Sequence, residues 1–526
     1  MLNLTGELVG VPRGETLTKY IYYPDHLAKV PEPNRTLSGL WDALRTVMKE
    51  PLYKPLPRSF WYFVRNMKKL LTPVATKTNI YWHARDRRSL GEYFLLGCGS
   101  RELVDNMLSA VIHGVWGGDI WKLSDARAVP GHYDRPRLAP EQEDLHVAVP
   151  HEDKDLVYQM QNRPSRSMTP IINAYSHVWF RGGFETLTKA IHEELTKRGI
   201  EVRNDVVEEL RDVGRTVRVL SKTAEGRPIA KQYEKVISTI NASDLARLAP
   251  ANALPTLAES HAVNIMVVGL WYPTSNLNHP HSGFGYLIPQ GVSRSLNPEN
   301  ALGVLFDTDR ELAGVPFSQL HNPNAPKGTS PLDTVPGTKM TVLMGGHYWD
   351  KIPRENLPSL KEAIADAKAV VTRHLGIPKH ENDQAVACVS FSEACIPQHY
   401  VGHWSRMAKA RDELQAAFGG KLAVAGPSYQ MPGVFGSVRA AWDLTNYIAG
   451  AYSGLPRIED LSADERCELS MFSPVGPTGL DRFVVPSFWF SVPKASVPWR
   501  YEYVSNAEKT RQDRNRVLEE TNSDQR

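Results

Sequence analysis

The sequence predicts a multidomain protein of mixed α/β and α+β architecture. At 526 residues the chain exceeds the length that one ordinary hydrophobic core supports. Segment 184–199 has helical periodicity and is followed by three short β-branched runs, which predicts one α/β unit. Longer apolar runs between residues 263 and 345 predict a second, mainly antiparallel sheet, and a helical pattern at 360–375 predicts the helix that covers it.

Composition excludes several classes of protein. Hydrophobic residues (42%) and charged residues (23%) are in the balance typical of a globular chain. The 61 basic and 58 acidic residues leave a net charge of +3, which indicates no nucleic-acid partner. The four cysteines form no CxxC pair, so neither a zinc site nor a disulfide framework is predicted. The chain has no apolar run of the roughly 18 residues that a membrane span needs, and its start shows no targeting peptide.

An amphipathic pattern marks segment 59–73, SFWYFVRNMKKLLTP. Aromatic residues on one face and cations on the other are typical of a helix that lies in a membrane interface. The same stripe is also the commonest way to bury a helix on a core, so both interpretations stay open. The apolar face holds Trp61, Phe63, Val64, Met67, Leu70 and Leu71, and the basic face holds Arg65, Lys68 and Lys69.

A further helix is predicted from Ser100, and its predicted end is the glycine-rich bend at 114–118. The next stretch, 126–168, is rich in proline and charge and has no periodicity, so it predicts a long, poorly ordered surface loop. In the α/β unit, strands are predicted at 200–202, 216–221 and 236–240.

Near the C-terminus, a short strand at 422–425 runs into a Gly/Pro loop and then into a helix. This geometry presents unpaired backbone N–H groups and the positive end of the helix dipole to an anion or a polar cofactor atom. Many helices begin after a Gly-Pro turn without binding anything, so the local pattern leaves that alternative open. From residue 455 the chain is rich in proline and then in charge, which predicts an exposed appendage.

Eight blocks of sequence, taken in order, resemble the oxygen-dependent protoporphyrinogen oxidases of the flavin amine oxidase superfamily. Together they span residues 19–450, about four-fifths of the chain, and their co-occurrence is more specific than any single block. The blocks are KYIYYPDHL, RSLGEYF with SRELVDNMLSAVIHGVWGGDIWKLS, RGGFETL, KVISTI, GFGYLIPQ, TVLMGGHYW, ACIPQHYVGHW and LAVAGPSYQMPGVFGSV.

The resemblance implies removal of six electrons from protoporphyrinogen IX, giving protoporphyrin IX, with FAD as cofactor and oxygen as acceptor. The flavin performs the hydride transfer, so neither a catalytic side chain nor a metal is implied. The implied fold combines a nucleotide-binding fold for FAD, a mixed-sheet substrate domain and a helical membrane-docking domain. By this resemblance, the FAD-binding domain comprises segments 1–18, 179–245 and 396–454, and the substrate domain comprises residues 246–395. Residues 19–178 form the entry to the substrate domain and the docking domain, with a loop insertion at 126–168. Residues 455–526 form a partly disordered extension.

Five residues match substrate-binding positions of that family. Lys19 stands where the family usually has an arginine that pairs with a propionate, so the charge is kept and the bidentate fork is lost. Gly114 matches a glycine whose carbonyl accepts hydrogen bonds from the pyrrole N–H groups. The apolar residues matched on either side of the macrocycle are Phe284, Leu287 and Leu343. The neighbours of Gly114 that either line the pocket or belong to the core are His113 and Trp116.

Five further residues match flavin-binding positions. Val207 matches a position that contacts the adenine through its backbone. The loop and helix start beside the flavin are matched by Pro427, Pro432, Gly433 and Val434. The family usually reads Val-Asn-Asp where this chain has Val-Phe-Gly at 434–436, so a polar helix cap is replaced by a bulky residue and a glycine.

The sequence has no GxGxxG motif after a strand, whereas family members place one before the position that corresponds to residue 1 here. We therefore expect the chain to be truncated relative to the family, with an incomplete FAD-binding fold. Because the glycine loop neutralises the pyrophosphate, residues 1–526 alone are expected to hold little flavin and to lack oxidase activity. An upstream segment with GxGxxG is expected to restore both.

The resemblance also implies monotopic attachment to the mitochondrial inner membrane, with the membrane surface as a partner. It leaves open ferrochelatase as a protein partner and a homodimer as the assembly. Two other functions stay open, namely a porphyrin-binding homologue that cannot hold flavin and another flavin amine oxidase-like enzyme. The blocks GVWGG, GFGYLIP and CIPQHYVGHW argue against the second of these.

Overall fold

The computed structural model describes residues 4–13, 17–31, 37–71, 88–125, 146–150, 174–319, 335–448, 475–484 and 489–493. The strands are β1 (Leu8–Pro12), β2 (Lys19–Tyr22), β3 (Leu27–Lys29), β4 (His146–Pro150), β5 (Tyr175–Phe180), β6 (Val206–Asp212), β7 (Val217–Lys222), β8 (Pro228–Tyr233), β9 (Val236–Ser238), β10 (Ala262–Tyr272), β11 (Gly285–Leu287), β12 (Ala301–Phe306), β13 (Val315–Pro316), β14 (Thr338–Gly345), β15 (Val386–Pro397), β16 (Leu422–Val424) and β17 (Trp489–Pro493). The helices are α1 (Leu37–Lys49), α2 (Leu56–Leu71), α3 (Leu90–Cys98), α4 (Arg101–Leu103, the π-helical turn Val104–Leu108, and Ser109–Trp116), α5 (Glu185–Lys197), α6 (Ala242–Leu248), α7 (Pro255–Ala258), α8 (Asp307–Leu312), α9 (Leu360–Leu375), α10 (Lys379–Gln384), α11 (His403–Phe418) and α12 (Val434–Ile448).

A seven-stranded sheet in the order β15-β10-β14-β12-β11-β2-β3 forms the larger part of the fold. Its pairs are antiparallel except β11 with β2, which run parallel, so the predicted mainly antiparallel sheet is confirmed. Alternate residues of β10 and β14 are buried, as the two-residue period of a strand requires. They pack against α9, which begins with a capping box between Ser359 and Glu362 and occupies the predicted range.

The second large core joins the parallel pair β9 and β16, the hairpin sheet β6-β7-β8, and helices α6, α7 and α11. Segment 475–484 closes this core. Val424 N donates to the carbonyl of Thr478 at 2.9 Å, and Trp404 Nε1 donates to the carbonyl of Phe483 at 2.8 Å. Leu480 and Phe483 are almost completely buried. The prediction of an exposed appendage from residue 455 is therefore wrong for this segment, whose apolar residues sit in a Gly/Pro-rich stretch without a helical or strand period.

Helix α4 continues past its predicted stop. Gly114 is helical, and the helix ends because Gly117 adopts a left-handed φ of 55° and donates its N–H to the carbonyl of His113. The predicted end of this helix at Gly114 is therefore wrong. Glycine at 114 serves close packing instead of helix termination.

Two strand predictions also need correction. No strand forms at 200–202, where Ile200 and Val202 are about half exposed, and the first strand after α5 is β6. Within the predicted loop 126–168, residues 146–150 form β4, which pairs with β17 from the C-terminal region. The rest of that predicted loop lies outside the described residues. The pairing of β4 depends on a partner more than 300 residues away, about which a local pattern carries no information.

The buried C-terminal segment yields a stability prediction. Phe483→Ala should lower the free energy of unfolding by about 3–5 kcal/mol, because it removes a fully buried ring from a closed core. Phe435→Ala is the matched control, since that ring is 89% exposed and should cost less than about 0.5 kcal/mol. Urea unfolding of both variants measures the difference, and equal midpoints would show that segment 475–484 does not belong to the core.

Candidate functional site

One face of the seven-stranded sheet is only partly covered. Residues paired directly across strands point to the same face, and one such row includes Leu287, Gly303 and Leu343. Leu287 and Leu343 lie two strands apart, at roughly 10 Å, with glycine between them. Both leucines are partly exposed, whereas the opposite face of the sheet is buried under α9. Across the seven strands the row is Ala28, Ile21, Leu287, Gly303, Leu343, Val267 and Ser390.

Helix α4 meets this row at Gly114. A Cβ atom at position 114 would lie 2.9 Å from Cδ2 of Leu287, so only glycine allows this approach without moving the leucine. Val111 and Val115, on the same side of α4, are 52% and 57% exposed. The carbonyl of Gly114 belongs to the last helical turn, whose carbonyls have no intrahelical donor. We call the surface made by Val111, Gly114, Val115, Leu287 and Leu343, which lies over the buried Gly303, the open face.

Lys19 and Phe284 lie toward one end of the open face. Lys19 begins β2 and pairs with Gly285, which places it in the row next to that of Leu287 and on the same side of the sheet. Lys19 is exposed. The ring of Phe284 contacts the ring of His177 on β5, with centroids 5.3 Å apart. The structure thus brings all five predicted substrate residues to one region, with Phe284 beside Lys19 at its end.

A histidine pair, in which His113 is buried and His347 is partly exposed, lies beside Gly114. The rings of His113 and His347 stack at 5.0 Å, with their Nε2 atoms 2.9 Å apart. Nδ1 of His113 donates to the carbonyl of Ile288 at 2.5 Å, so its Nε2 is the acceptor and His347 donates. Burial, and then the neighbouring His347, lower the pKa of His113 to about 3, so the ring is neutral at physiological pH. The described residues contain no cluster of three or more metal-ligating side chains around this pair or elsewhere.

A cavity of about 200 Å³ lies by the carboxyl ends of the parallel strands β9 and β16, where open α/β sheets bind ligands. Asn241 after β9, Ser428 after β16 and Gln398 after β15 line it. Gln398 Nε2 donates to the carbonyls of Trp116 and Ile396, whereas its buried Oε1 accepts no hydrogen bond from the described residues. That oxygen lies against the backbone of Gly118, away from exposed surface. The volume is below the ~300–1,000 Å³ of whole small-molecule sites, so it suits part of a larger ligand.

Two histidines fix the loop that leads from β16 toward α12. His399 Nε2 lies 2.9 Å from the carbonyl oxygen of Pro427, and His403 Nε2 lies 3.3 Å from that of Tyr429. Their rings stack at 3.9 Å with an interplanar angle of 13°. Because both rings are buried, these two packed side chains hold the loop backbone beside the cavity in place.

The predicted flavin residues of the C-terminal region share this loop. Pro427 adjoins Ser428 of the cavity, and Pro432 precedes Gly433, which has a φ of 100° and open space where a Cβ would lie. Val434 begins the 15-residue helix α12. The structure therefore confirms the predicted succession of strand, glycine loop and helix. Val207 lies apart, on β6 of the separate hairpin sheet.

Sequence reasoning missed Ala394, which links the sheet to the cavity. Its φ of 45° is left-handed, which costs a non-glycine residue about 1–2 kcal/mol. Asn264 Oδ1 accepts its N–H at 2.8 Å, and Asn241 Nδ2 donates to its carbonyl at 2.9 Å. Such strain persists only where the surroundings enforce it, and it concentrates at functional sites. His347, Gly303 and Gln398 were also missed, and of these only the glycine within an apolar strand gave a sequence signal.

Comparison with known proteins gives concordant results. The model of the family "flavin containing amine oxidoreductase" matches residues 23–445. The protoporphyrinogen oxidase of Homo sapiens is 28% identical over 413 residues, which cover 75% of this chain and 73% of the relative. That of Bos taurus is 27% identical over 408 residues, 75% of this chain and 72% of the relative. A solved structure of a protein from Exiguobacterium sp. 255-15, provisionally assigned as a protoporphyrinogen oxidase, superposes with a TM-score of 0.52 at 17% sequence identity. The match covers 85% of this chain and 82% of that chain. At this identity the match shows the fold alone.

The lowered pKa of the buried His113 predicts that the protein loses stability in acid. The unfolded chain binds a proton on His113 near the ordinary pKa of 6.5, whereas the folded chain resists it down to about 3. This contribution to stability is therefore complete above pH 6.5 and falls by up to ~1.4 kcal/mol per pH unit below it. His113→Asn keeps a donor for Ile288 and should give a shallower pH dependence in urea unfolding between pH 6 and 4. Val111→Ala, on the exposed side of α4, should keep the original slope, and equal slopes for all three proteins would contradict the buried neutral state.

Proposed function

Because the chain belongs to the flavin containing amine oxidoreductase family, we propose that it oxidises protoporphyrinogen IX to protoporphyrin IX, with FAD as cofactor and oxygen as electron acceptor. The chain is thus an oxidoreductase of a flavin-dependent family, with protoporphyrinogen oxidases among its relatives. The observation that carries the choice of substrate is the open face, an apolar surface with a helix-end carbonyl beside it and a cation at its end.

The open face suits a large flat tetrapyrrole. Leu287 and Leu343 offer apolar contact across roughly 10 Å of sheet, and Gly303 between them adds no side chain that would obstruct a flat ring. The carbonyl of Gly114 lies in the last helical turn and has no intrahelical donor, so this carbonyl can accept hydrogen bonds from pyrrole N–H groups. Lys19 supplies the charge that a propionate needs. Apolar walls with a few well-placed polar groups are the usual composition of a small-molecule site.

The cofactor end of the chain fits the flavin part of FAD. Gln398 lines the cavity, and the adjoining loop carries Pro427, Pro432 and Gly433 ahead of the N-terminus of α12. When bound, the flavin supplies the hydride acceptor. The residues that would hold it are Gln398, the Pro427 to Val434 loop and, at the adenine side, Val207.

The protein's own residues then bind, orient and exclude water. Three two-electron oxidations remove three hydrides from bridging carbons and three protons, two from pyrrole nitrogens and one from the fourth bridging carbon, which accounts for the six electrons and six hydrogens lost. Leu287 and Leu343 keep water from the ring, the carbonyl of Gly114 holds the pyrrole N–H groups, and Lys19 fixes a propionate. His113 keeps α4 and β11 together through its hydrogen bond to Ile288. Positioning of this kind supplies a large part of enzymatic rate enhancement.

A second candidate is a porphyrin-binding homologue without flavin. Phe435 at the start of α12 is 89% exposed and occupies the position of a polar helix cap. A side chain of that size beside the loop would obstruct a polar cofactor atom that approaches the first N–H groups of the helix. Retention of flavin distinguishes the two candidates, since both bind the porphyrin.

We also propose that the protein docks on a membrane surface, that of the mitochondrial inner membrane. Trp61 and Phe63 of α2 are 73% and 41% exposed, so packing on the core does not explain its apolar stripe within the described residues. Arg65 adds a cation to the same helix. None of the helices that the structure describes has the length and hydropathy of a membrane span. The exposed apolar residues of the two N-terminal helices are Leu40, Trp41, Leu44, Met48, Phe60, Trp61, Phe63 and Val64.

Leu343→Arg tests the substrate proposal, because it places a charge in the middle of the apolar row. The wild-type chain should bind protoporphyrin IX, and this variant should weaken binding at least ~100-fold while the fold persists. Val386→Arg is the control, since Val386 lies on the edge strand β15 and is 61% exposed. Binding is measured by porphyrin absorbance and fluorescence titration, which needs no flavin.

The outcomes separate the candidates. A wild-type chain that does not bind protoporphyrin IX, or a Leu343→Arg variant that binds it normally, contradicts the proposed substrate site. Protein extended by an upstream GxGxxG segment and incubated with FAD and protoporphyrinogen IX in air should form three hydrogen peroxide molecules per porphyrin, whereas residues 1–526 alone should form little. Porphyrin binding by the extended protein without retained flavin would favour the second candidate.

Membrane docking is tested by flotation with anionic phospholipid vesicles. Trp61→Ala combined with Phe63→Ala should move most of the protein from the floating fraction to the soluble fraction, because both rings are exposed and available to the interface. Phe184→Ala combined with Ile191→Ala removes two exposed apolar side chains at α5 and serves as the control. Undiminished flotation of the α2 variant would show that this helix does not dock the protein.

A further inference from the structure

We propose that Val111 and Val115 of α4 are specificity-determining residues, which select tetrapyrroles with uncharged substituents on the edge beside α4 and disfavour those with carboxylates there. The inference rests on the proposed function and deepens it, because it states which tetrapyrroles the open face accepts. Protoporphyrin IX bears two vinyl groups on the edge opposite its two propionates. Coproporphyrin III bears two further propionates in place of those vinyl groups. The two valines are therefore inferred to separate a dicarboxylate from a tetracarboxylate.

Helix α4 crosses the seven-stranded sheet and forms one wall of the open face. Near its middle, Ala110 belongs to a buried cluster with Ile21 of β2 and Ala28 of β3. Just after its last turn, a Cβ atom at Gly117 would lie 3.0 Å from Cδ1 of Ile265 on β10. The helix thus runs from the edge strand β3 across the sheet to β10, along the row of residues that forms the floor of the open face.

The sheet register places α4 and Lys19 on opposite sides of that floor. Successive rows on this side of the sheet are two residues apart along β10. Ile265 lies under α4, and Val267 belongs to the row of the floor. Gly269 belongs to the next row, which starts at Lys19. Four residues, roughly 13 Å, separate Ile265 from Gly269. One edge of a flat ring on the open face therefore lies along α4, and the opposite edge lies toward Lys19.

The wall that α4 presents to this edge is apolar. Val111 and Val115 lie one turn apart on the same side of the helix, next to Gly114, and both are more than half exposed. Segment 106–118 contains no Asp, Glu, Lys or Arg. Its one histidine, His113, is buried, and burial lowers its pKa to about 3, so it is neutral. A carboxylate against this wall would lose hydration without gaining a counter-ion, whereas a vinyl group loses nothing comparable.

The electrostatics at the two ends of α4 also disfavour a carboxylate. The carbonyls of the last turn form the negative end of the helix dipole. Beyond that end, Lys122 Nζ lies 3.2 Å from Asp350 Oδ2 and 3.9 Å from Asp119 Oδ2, so one lysine serves two carboxylates. At the start of α4, Arg101 pairs with Asp105 at 3.3 Å. The cations at both ends of the helix are thus already paired with acids of the protein.

Three porphyrins test the inference without flavin, by fluorescence titration of the 526-residue chain. Mesoporphyrin IX carries ethyl groups where protoporphyrin IX carries vinyl groups, so it separates the charge of these substituents from their unsaturation. The wild-type chain should bind protoporphyrin IX and mesoporphyrin IX within about threefold of each other. It should bind coproporphyrin III at least ~10-fold more weakly, because two carboxylates would be desolvated against α4.

Lysine variants of the two valines should reverse this preference. Val115→Lys and Val111→Lys should each tighten coproporphyrin III binding about 10-fold or more, since each supplies a charge-assisted hydrogen bond, and should change mesoporphyrin IX binding less than about threefold. A gain of binding cannot result from misfolding. Lysine near the C-terminal end of a helix also interacts favourably with the dipole, so Val115→Lys is expected to fold. Val206→Lys is the control, because Val206 is 68% exposed on the separate hairpin sheet.

The outcomes decide between the claims. Tighter binding of coproporphyrin III in the α4 lysine variants, with mesoporphyrin IX unchanged, supports the inference. Wild-type binding of coproporphyrin III as tight as that of protoporphyrin IX overturns it, and the proposed function stands if Leu343→Arg still prevents protoporphyrin IX binding. Lysine variants with the same ratio of the two affinities as Val206→Lys also overturn it. A wild-type chain that binds none of the three porphyrins overturns the proposed function, and the inference with it.

Discussion

The close approach of α4 to the seven-stranded sheet at Leu287 is the constraint on which the rest of the site depends. Gly114 and Gly303 both lie against that leucine, and a Cβ at either would come within 2.9 Å of its side chain. His113 fixes the approach from the next position through its hydrogen bond to the carbonyl of Ile288. Two glycines and one neutral histidine therefore set the distance between helix and sheet, and with it the shape of the open face.

The same sheet serves two purposes because its faces differ. The face under α9 is closed by tightly packed aliphatic and aromatic side chains, and it supplies most of the hydrophobic stabilisation of this part of the chain. The other face can stay open only because that burial has already stabilised the strands. At its far end the sheet reaches the cavity through Ala394, which two asparagines from different parts of the fold hold in a left-handed conformation.

Elements that depend on residues close together in the sequence could be predicted from local patterns. Helix α9, strands β10, β11, β12 and β14 of the large sheet, and the succession of β16, loop and α12 follow from periodicity, capping and turn residues, and they lie close to where the sequence predicted them. Strands β2, β3 and β15 of the same sheet were not predicted. The stop at Gly114 was wrong because glycine there satisfies packing against Leu287, a contact with a residue 173 positions away. β4 and β17, and the buried segment around Phe483, likewise depend on partners far along the chain. The pairing of His113 with His347 gives no signal in either local sequence.

The residues of the open face and those of the loop after β16 are held in place by different kinds of structure. Residues of the open face lie on strands and on a helix whose register and packing fix them, which is how precise sites are usually supported. The cofactor residues lie on a loop, and two stacked histidines beneath Pro427 and Tyr429 provide the support that regular structure provides elsewhere. A change in either histidine would thus act on the loop backbone without touching the open face. If the proposed roles hold, this separation lets substrate recognition on the open face and cofactor retention at the loop vary independently, so the exposed Phe435 at the start of α12 would affect only the second.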